Sequence, residues 1–366
     1  MKTNSKLVRL GTICTVVSGT TPDTNNASYW NGDLPWITPA EIEETSYVVC
    51  QTARCITKQA VNKKSLNLLP KGTVLLSSRA PIGKVAIAGI DMYCNQGFKN
   101  LICSPKIYNE YLYFFLKAKT EYLKSLGRGA TFKEISKSIV ENILIPLPDI
   151  KTQKRIAERL DKVQELIALQ KKQLKKLDEL IKSRFIDLFG DPITNPKGWP
   201  SKKGKDVFAF SSGKFNPTNN LHNSNPYPCY GGNGVTGYSK DYLIDYSTIV
   251  IGRVGAYCGN VTKTERYSWI TDNAIFLVSY KPTIYDMDFL FYLFSKLNFH
   301  RFANFSGQPK ITQEPLLNLT YIMPPLALQK QFVVNVTKIE TQKGLLTTRL
   351  THLETLYKSL MQEYFG

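Results

Sequence analysis

The sequence has few of the side chains on which enzyme chemistry usually depends. Its three histidines, His222, His300 and His352, are too few for the usual zinc sites or for histidine-activated nucleophiles. Its seven cysteines are odd in number and include no C-x-x-C pair, so they indicate neither a disulfide framework nor a zinc knuckle. We interpret the cysteines as small core residues and expect no metal site.

Long apolar runs are also missing. No run approaches the roughly 18 residues that span a bilayer, and the N-terminus has no signal-like apolar core. We therefore expect a cytoplasmic protein with no membrane partner. A phosphate-binding loop is absent as well, because Gly83-Lys84 is followed by Val85 and Gly213-Lys214 by Phe215. ATP hydrolysis is not expected.

Acidic residues are outnumbered. The 366 residues include 47 Lys and Arg against 29 Asp and Glu, which gives a formal charge of +18. An excess of this size favours a polyanionic partner such as nucleic acid, although an anionic membrane surface or simple solubility remain alternatives. The length is too great for one compact core and predicts two domains.

An internal repeat is the most prominent feature that is present. Pro148, Gln153 and Lys154 recur 176 positions later as Pro324, Gln329 and Lys330. At this offset residues 135–190 align without a gap on residues 311–366, and both copies end in Phe-Gly. A repeat of this length indicates two similar structural units in one chain.

Each copy of the repeat carries an apolar stripe with alternating spacings of four and three residues. This heptad pattern predicts two helices of about forty residues, roughly 55 to 60 Å long, that pair with each other. Gln170, Arg184 and Lys343 interrupt the stripes. The alternative is that each helix lies on its own domain. The predicted seam consists of Ile156, Leu160, Val163, Ile167, Leu174, Leu177, Ile181 and Leu188 in the first copy, and Phe332, Val336, Ile339, Leu346, Leu350, Leu353 and Leu360 in the second.

Short β-branched and aromatic runs separated by Gly, Pro and Asn fill the rest of the chain and predict globular parts. A weaker echo links them, since "TICTVVSGTTP" resembles "DVFAFSSGKFN" and "SRAPIGKVAI" resembles "GRVGAYCGNV". The prolines and glycines of "GDPITNPKGWP" end the first long helix. The predicted divisions are a globular domain at 1–149, a helix at 150–190, a hinge and second globular domain at 191–325, and a helix at 326–366.

This order of parts closely resembles the DNA specificity subunit of type I restriction-modification systems. The resemblance covers the whole chain and rests on the paired Pro-x-x-x-x-Gln-Lys joints, the "LFGDP" hinge, "LPWITPAEI", "LLPKGTVLLSSRAPIGKVAI" and "CYGGNGVTGY". It implies an α+β fold, in which two globular α/β target recognition domains are joined by two long helices. These helices form an antiparallel coiled coil with a pseudo-two-fold internal repeat.

The resemblance also implies a function and partners. Each domain would read one half of a split, asymmetric site in double-stranded DNA. The coil would dock two adenine methyltransferase subunits and the restriction (motor and nuclease) subunits. The chain itself is expected to be non-catalytic and to bind no cofactor. In agreement, its nearest match to an adenine methyltransferase motif, Asn225-Pro226-Tyr227-Pro228, has the wrong order.

Candidate DNA contacts follow from the chemistry of base reading, which uses Arg or Lys for guanine and Asn or Gln for adenine. Each candidate could equally be a solvated surface residue, and the Gly-rich loop could be only a tight hairpin. Arg79 and Arg253 are expected to be equivalent, because both lie in the turn that follows an apolar strand. The candidates are Ser78, Arg79, Lys84, Asn95, Gln96 and Lys99 in the first domain and Asn233, Arg253, Tyr257, Gln308 and Lys310 in the second.

A second class of function remains open from the sequence. The chain could be a coiled-coil adaptor whose globular ends bind protein or RNA, with its charge serving solubility. The basic cluster "QKKQLKK" at 170 is typical of a solvated coiled-coil face, and it could also face DNA phosphates or an acidic partner. The sequence predicts neither the bases that are read nor the spacing between the half-sites.

Overall fold

The computed structural model describes residues 6–43, 46–129, 133–305 and 307–366. The chain divides into two compact units. The first unit comprises Met1–Lys171 and Thr348–Gly366, and the second comprises Lys172–Thr347. Each unit therefore combines one globular part with portions of both long helices. Among the described residues, no helix combines the length and apolarity needed to cross a bilayer.

The first unit is a mixed α/β structure. Its strands are β1 (Leu7–Arg9), β2 (Cys14–Ser18), β3 (Trp30–Ile37), β4 (Val48–Val49), β5 (Arg54–Ile56), β6 (Val74–Leu76), β7 (Val85–Ala88), β8 (Tyr93–Cys94), β9 (Lys99–Cys103) and β10 (Leu144–Pro146). Its helices are α1 (Lys58–Lys64), α2 (Asn109–Ala118), α3 (Thr120–Ser125), α4 (Lys137–Glu141) and the start of α5 (Ile150–Phe189), with short 3-10 turns at Leu10–Thr12, Ala27–Tyr29 and Pro39–Glu41.

Three sheets organise this unit, with strand orders β2-β9-β6-β7-β4, β5-β3-β8 and β1-β10. Neighbouring strands are antiparallel except for the pairs β4–β7 and β3–β8. All residues of β6 and β7 are buried, as expected for continuous apolar runs in the interior of a sheet. The aromatic face of α2, Tyr111 to Leu116, packs into the same core.

The second unit repeats this plan. Its strands are β11 (Ser201–Lys203), β12 (Phe208–Ser212), β13 (Tyr227–Gly231), β14 (Gly234–Ser239), β15 (Ile249–Gly252), β16 (Val261–Lys263), β17 (Trp269–Ile270), β18 (Ala274–Tyr280) and β19 (Thr320–Ile322). Its helices are α6 (Gly204–Val207), α7 (Met287–Lys296), α8 (Gln313–Asn318) and the start of α9 (Leu326–Phe365), with 3-10 turns at Thr218–Asn220 and Phe299–Phe302.

Strand order shows that the globular parts are related. The sheet β12-β18-β15-β16 corresponds to β2-β9-β6-β7, the parallel pair β13–β17 to β3–β8, and the pair β11–β19 to β1–β10. The weak sequence echoes fall on equivalent strands, β2 with β12 and β7 with β16. The first unit has β4 and α1 as additions. The internal repeat predicted from the helices therefore extends through the globular parts.

A buried glutamine ties the start of α5 to the globular part of the first unit. Gln153 accepts a hydrogen bond from the Tyr108 backbone N–H (2.8 Å) and donates to the carbonyl oxygens of Lys106 (3.1 Å) and Pro148 (2.8 Å). Tyr108 is the N-cap residue of α2. The side chain thus satisfies three buried backbone groups and joins two helix starts.

The second unit has the same joint. Gln329 accepts from the Asp286 backbone N–H (2.9 Å) and donates to the carbonyl oxygens of Ile284 and Pro324, both at 2.8 Å. Asp286 is the N-cap residue of α7, the counterpart of α2. The repeated Pro-x-x-x-x-Gln motif is therefore a hydrogen-bonded corner between a globular part and a long helix.

The two long helices pair in antiparallel fashion within each unit. In the first unit Arg159 Nη1 donates to the Tyr364 hydroxyl at 3.0 Å, and Lys171 forms an ion pair with Glu354 at 2.8 Å. Residue numbers rise along α5 as they fall along α9, which defines the antiparallel direction. All fifteen predicted seam residues are buried or half-buried.

Two of the three interruptions in the stripes, Arg184 and Lys343, have individual explanations. Arg184 is exposed, and the neighbouring Phe185 is fully buried, so the aromatic residue fills the seam at that level. Lys343 is half-buried and bonds to Asp178 at 2.7 Å and Glu340 at 3.0 Å. Burial lowers the pKa of Lys343, but the hydrogen bonds to these two carboxylates outweigh it and raise that pKa overall.

Each long helix ends in a phenylalanine that packs against an aromatic helix of a globular part. Phe365 packs in the first unit on Tyr111 and Phe115, with ring centroids 5.3 and 5.9 Å apart. Phe189 packs in the second unit on Phe289 at 4.8 Å. Each globular core therefore holds the start of one long helix and the end of the other.

Candidate nucleic-acid interface

Two equivalent turns hold five of the eleven predicted DNA contacts, namely Ser78, Arg79, Lys84, Arg253 and Tyr257. The first turn, residues 77–84, joins β6 to β7, and the second turn, residues 253–260, joins β15 to β16. In the first turn the Ser78 N–H donates to the Gly97 carbonyl at 2.8 Å, and the Ile135 N–H donates to the Ser78 carbonyl at 3.0 Å. These two hydrogen bonds fix the backbone where the chain leaves β6.

The same bonds recur in the second turn around a different side chain. The Arg253 N–H donates to the Asn273 carbonyl, and the Ile311 N–H donates to the Arg253 carbonyl, both at 2.9 Å. Arg253 therefore occupies the backbone position of Ser78. One turn places a small hydroxyl at this position and the other places a guanidinium.

The expected equivalence of Arg79 and Arg253 is wrong by one residue. Arg79 forms a β-bridge with Glu134, and the matching bridge in the second unit joins Val254 to Lys310. Arg79 therefore corresponds to Val254, and Arg253 corresponds to Ser78. The two arginines occupy neighbouring positions of the backbone that the turns share. In extended backbone, a step of one residue sends the side chain to the opposite face.

Beside the first turn lies a partly buried ion pair whose charges compensate each other. Lys99 Nζ lies 2.9 Å from Glu134 Oε1 and 3.4 Å from Ser78 Oγ. Ser78 is fully buried and Lys99 nearly so. A direct contact of either side chain with DNA does not fit this burial, so we reassign both to the support of the turn. Lys84 is half-buried, and its Nζ donates to the Pro39 carbonyl at 3.0 Å.

The remaining first-domain candidates are more accessible. Gln96 is exposed and bonds to the Thr21 hydroxyl, while Asn95 accepts from the Gly97 N–H at 2.9 Å. Arg79 is half-exposed at the edge of a cavity of about 690 Å³. This cavity is lined by Arg79, Ala80, Pro81, Ile82, Lys124, Lys133 and Glu134. Sequence reasoning missed Lys124 and Lys133, which are far from Arg79 along the chain.

The region around the second turn carries uncompensated positive charge, unlike the region around the first turn. Ile275 stands in β18 where Lys99 stands in β9, and Lys310 stands where the first unit has Glu134. Arg253 donates from Nη1 to the Asp272 carbonyl at 3.3 Å, and Lys310 is exposed. Two cations therefore replace the compensated pair, which suits this turn to an anionic or guanine-bearing ligand.

Other contacts shape the second turn. The Cys258 thiol donates to the Arg253 carbonyl at 3.3 Å. Burial raises the pKa of this thiol, although a backbone hydrogen bond from Ile311 lowers it, so the thiol keeps its proton. Gly255 adopts a φ of +86°, and its N–H donates to the Pro309 carbonyl at 2.9 Å. This close approach brings the segment that carries Gln308 against the turn.

Tyr257, Gln308 and Asn233 are all exposed. Asn233 lies at the tip of the β13–β14 hairpin and accepts a hydrogen bond from Asn260 Nδ2 at 3.2 Å. Since Asn260 belongs to the second turn, this bond joins the Gly-rich hairpin to it. The second-unit candidates thus converge on one region, although they come from separate stretches of sequence.

Exposed aromatic residues are a feature that sequence reasoning did not find. Phe215 lies at the edge of a cavity of about 410 Å³ with His222 and Trp269. Aromatic residues in strand-rich segments usually predict core positions, so their exposure gave no signal in the sequence.

Comparison with known proteins places these features in a family. A sequence model described as "Type I restriction modification DNA specificity domain" matches residues 2–179 and 196–355. The type I restriction enzyme MjaIX specificity subunit of Methanocaldococcus jannaschii is 40% identical over 228 residues, covering 57% of this chain and 53% of that protein. The EcoprrI specificity subunit of Escherichia coli is 26% identical over 366 residues, covering 93% and 88% respectively.

A solved structure shows the same fold. The S subunit of a type I restriction-modification system from M. genitalium superposes with a TM-score of 0.69 at 17% identity, covering 100% of this chain and 98% of that one. The architecture of two α/β domains with long paired helices is therefore confirmed. The present chain spans about half the length of the M. jannaschii relative that it matches.

Proposed function

The chain belongs to the type I restriction modification DNA specificity family, and we infer that it is the non-catalytic, DNA-reading subunit of such a complex. We propose that each globular part reads one half of a split, asymmetric site in double-stranded DNA. The formal charge of +18 supports a polyanionic ligand. Neither a cofactor nor a metal ion is part of the proposed role.

The difference between the two turns carries this proposal. They share a backbone but differ in the side chains in and around them, which are Ser78, Lys99 and Glu134 in one unit and Arg253, Ile275 and Lys310 in the other. Equivalent frames with different side chains are suited to reading different bases from similar positions. The two half-sites are then different, and the whole site is asymmetric.

Base reading is assigned to the accessible residues of each unit. In the first unit these are Arg79, Lys84, Asn95 and Gln96, and in the second they are Asn233, Arg253, Tyr257, Gln308 and Lys310. Arginine can bind O6 and N7 of guanine together, and amide side chains can bind adenine in the same bidentate way. Lysines and backbone amides would hold phosphates and fix the register.

The long helices would supply the rest of the function. We propose that the coil docks two adenine methyltransferase subunits and the restriction subunits, so that chemistry performed by the partners is directed to the site read by this chain. The basic cluster Lys171, Lys172, Lys175 and Lys176 is exposed. Lys171 pairs with Glu354, and the other three lysines could contact phosphates or an acidic partner surface.

Salt dependence of DNA binding tests the proposal against an adaptor that binds only protein. Sites selected from a random duplex pool should be bound with an affinity that falls steeply between about 50 and 200 mM salt, because phosphate contacts release counterions. Selected duplexes should contain two defined segments that flank a non-specific spacer. Binding that ignores salt, or selection of a single continuous motif, would count against the assignment.

A further inference from the structure

Two cysteines of the first unit face each other across a pair of strands. Cys14, the first residue of β2, lies directly opposite Cys103, the last residue of β9. Both are free thiols. Cys14 is buried in the hydrophobic core of the unit, and Cys103 is half-buried and packs against the same core. The two side chains therefore lie on the same face of the sheet.

The hydrogen bonds of the ladder show which kind of pair the two cysteines form. The Ser104 N–H donates to the Ile13 carbonyl at 3.0 Å, so the neighbouring pair is hydrogen-bonded. Hydrogen-bonded and non-hydrogen-bonded pairs alternate along an antiparallel ladder. Cys14 and Cys103 thus form a non-hydrogen-bonded pair, in which Cα atoms are about 4.5 Å apart and side chains come closest. Disulfides span Cα separations of about 4.4 to 6.8 Å, so this pair lies within their range.

The two thiols also interact with each other. A hydrogen bond with the Cys103 thiol is the main cause that raises the pKa of Cys14, and burial raises it further. The Cys14 thiol therefore keeps its proton while Cys103 is reduced. Cys103 is the more accessible of the two and is the one that a small molecule meets first. Oxidation of Cys103 removes the hydrogen bond and eases ionisation of Cys14.

The fold does not require cysteines at this place. In the second unit Phe208 begins β12 as Cys14 begins β2, and Phe208 lies opposite Tyr280. An aromatic pair thus occupies the equivalent end of the ladder. Among the described strand pairs, no other places two cysteines opposite each other, because Cys55 faces Pro35, Cys94 faces Ile37 and Cys229 faces Gly237.

We propose that Cys14 and Cys103 are a thiol–disulfide modification site, which reacts with small-molecule disulfides and closes into a bond between β2 and β9. The Cys103 thiolate attacks one sulfur of the small disulfide, whose S–S bond breaks, and the first small thiol leaves with the Cys103 proton. The Cys14 thiolate then attacks the Cys103 sulfur, and the second small thiol leaves with the Cys14 proton. The chain is oxidised by two electrons, and the small disulfide is reduced to two thiols.

Closure of this bond fastens an edge strand. β2 is the outermost strand of its sheet, next to β9. The other end of the same ladder pairs Ser18 with Lys99, four residues or roughly 13 Å from the cysteines. Oxidation therefore holds β2 onto the sheet without occupying the first turn. The bond opposes local opening of the strand, and the proposed DNA-reading role is not needed for it to form.

The experiment equilibrates the folded, full-length chain in buffers with a rising proportion of oxidised to reduced glutathione. After acid quenching and alkylation, peptide mass spectrometry should find Cys14 joined to Cys103, and the intact mass should fall by about 2 Da. Hydrogen exchange should slow at the Thr15 and Val17 amides, which face β9 in hydrogen-bonded pairs, and should stay unchanged in β12. An excess of dithiothreitol should reverse both changes.

Single variants test the order of the two steps. Cys14→Ala should carry one glutathione on Cys103 and form no bond, whereas Cys103→Ala should leave the buried Cys14 unmodified. Cys50→Ser is the matched control, because Cys50 is exposed in the same unit, and this variant should form the bond as the wild-type chain does.

Three results of the wild-type measurements would overturn the proposal, and none depends on how the variants fold. The first is that both cysteines stay reduced in oxidised glutathione alone. The second is that Cys103 keeps its glutathione without closing onto Cys14. The third is that the joined peptides appear only after the chain is unfolded in urea, which would show that the folded pair is not a site of exchange.

Discussion

Arg253 in the second turn and Ser78 in the first occupy equivalent backbone positions. Comparing the two turns therefore shows what the arginine side chain contributes. The guanidinium of Arg253 donates to the Asp272 carbonyl at 3.3 Å and retains further N–H groups for a ligand. Arginine has five such donors in a planar fork. We therefore expect Arg253 to make a base contact in one half-site.

Replacing Arg253 with Ala should weaken binding by about 1 to 3 kcal/mol if the side chain pairs with guanine. The loss should be confined to duplexes with an intact second half-site, measured by gel shift on duplexes altered in one half at a time. Arg79→Ala is the crossed control and should affect only the other half-site. An equal loss on specific and random duplexes would show that Arg253 holds phosphate.

The partly buried pair of Lys99 and Glu134 gives a stability prediction. Replacing Glu134 with Ala leaves the nearly buried Lys99 ammonium without a charged partner, whereas Lys99→Ile leaves a carboxylate that is already partly exposed. Ile275 shows that the fold accepts isoleucine at this position. We expect Glu134→Ala to cost about 2 kcal/mol and Lys99→Ile less, because part of the pair is screened by solvent.

Thermal unfolding of both variants and of the double variant measures these costs. The double variant should be more stable than Glu134→Ala alone, since removing Lys99 removes the uncompensated charge. Little or no destabilisation by either single change would mean that the pair is well solvated in solution. Such a pair would then leave Lys99 available for direct contact with DNA.

The sequence matched the two turns to each other but misplaced single residues within them. The slip between Arg79 and Arg253 arises because both follow an apolar strand, and only the hydrogen bonds of Ser78 and Arg253 reveal the register. The sequence also gave no sign that Ser78 and Lys99 are buried. The ion-pair partner of Lys99 is Glu134, which lies 35 residues away along the chain. Long-range pairing of charges has no local signature.

At the scale of elements, the paired joints explain why the same motif occurs twice. Gln153 and Gln329 are fully buried, and each satisfies one N–H and two carbonyl groups at a helix corner. The prolines and glutamines of the joints were evident in the sequence. Their role became clear only from the structure, because the hydrogen-bond partners Tyr108 and Asp286 lie more than 40 residues away.

Replacing Gln329 with Leu should loosen the second joint while leaving its volume nearly unchanged. The Asp286 N–H and two carbonyl groups would lose their partner, at a cost of about 1 to 3 kcal/mol. Hydrogen exchange should quicken at the Asp286 amide and not at the Tyr108 amide. Gln153→Leu should give the reverse pattern.

Lys330→Leu is the control for this joint, since Lys330 is the exposed neighbour of Gln329. Its exchange profile should match that of the wild-type chain. Unchanged protection of the Asp286 amide in Gln329→Leu would show that water replaces the side chain and that the glutamine does not hold the corner.

The heptad pattern predicted the long helices well, because apolar periodicity is a local property. It placed Arg184 as a gap, whereas Phe185 closes the seam there. The aromatic end residues Phe189 and Phe365 were noted only as a repeated ending. These two residues are buried against α2 and α7. The apolar pattern of a single long helix carries no information about its contacts with other helices.

On the scale of the whole molecule, each globular core depends on both halves of the chain. Phe365 and Leu360 of α9 belong to the core of the first unit, although they are more than 200 residues from most of it. A fragment of residues 1–190 lacks them and leaves the seam of α5 uncovered. The repeat offers a replacement, because Phe189 is the counterpart of Phe365.

We therefore expect this fragment to form an antiparallel dimer through α5. Lys171 pairs with Glu354 in the intact chain, and the counterpart of Glu354 is Asp178, so the dimer can form a Lys171–Asp178 pair twice. Light scattering should show two chains. Leu174→Glu in the seam should give monomers, whereas Leu169→Glu on the outer flank should leave the dimer intact.

DNA selected by this dimer, with its partner subunits, tests the internal symmetry on which the proposed function depends. Both ends of the dimer carry the same recognition domain, so the selected site should be a split palindrome whose halves match the first half-site of the intact chain. Reading on one face of the duplex requires half-sites centred about 34 Å apart or at a multiple of that distance. A monomeric fragment, or a dimer that selects an asymmetric site, would show that the two copies of the repeat are not interchangeable.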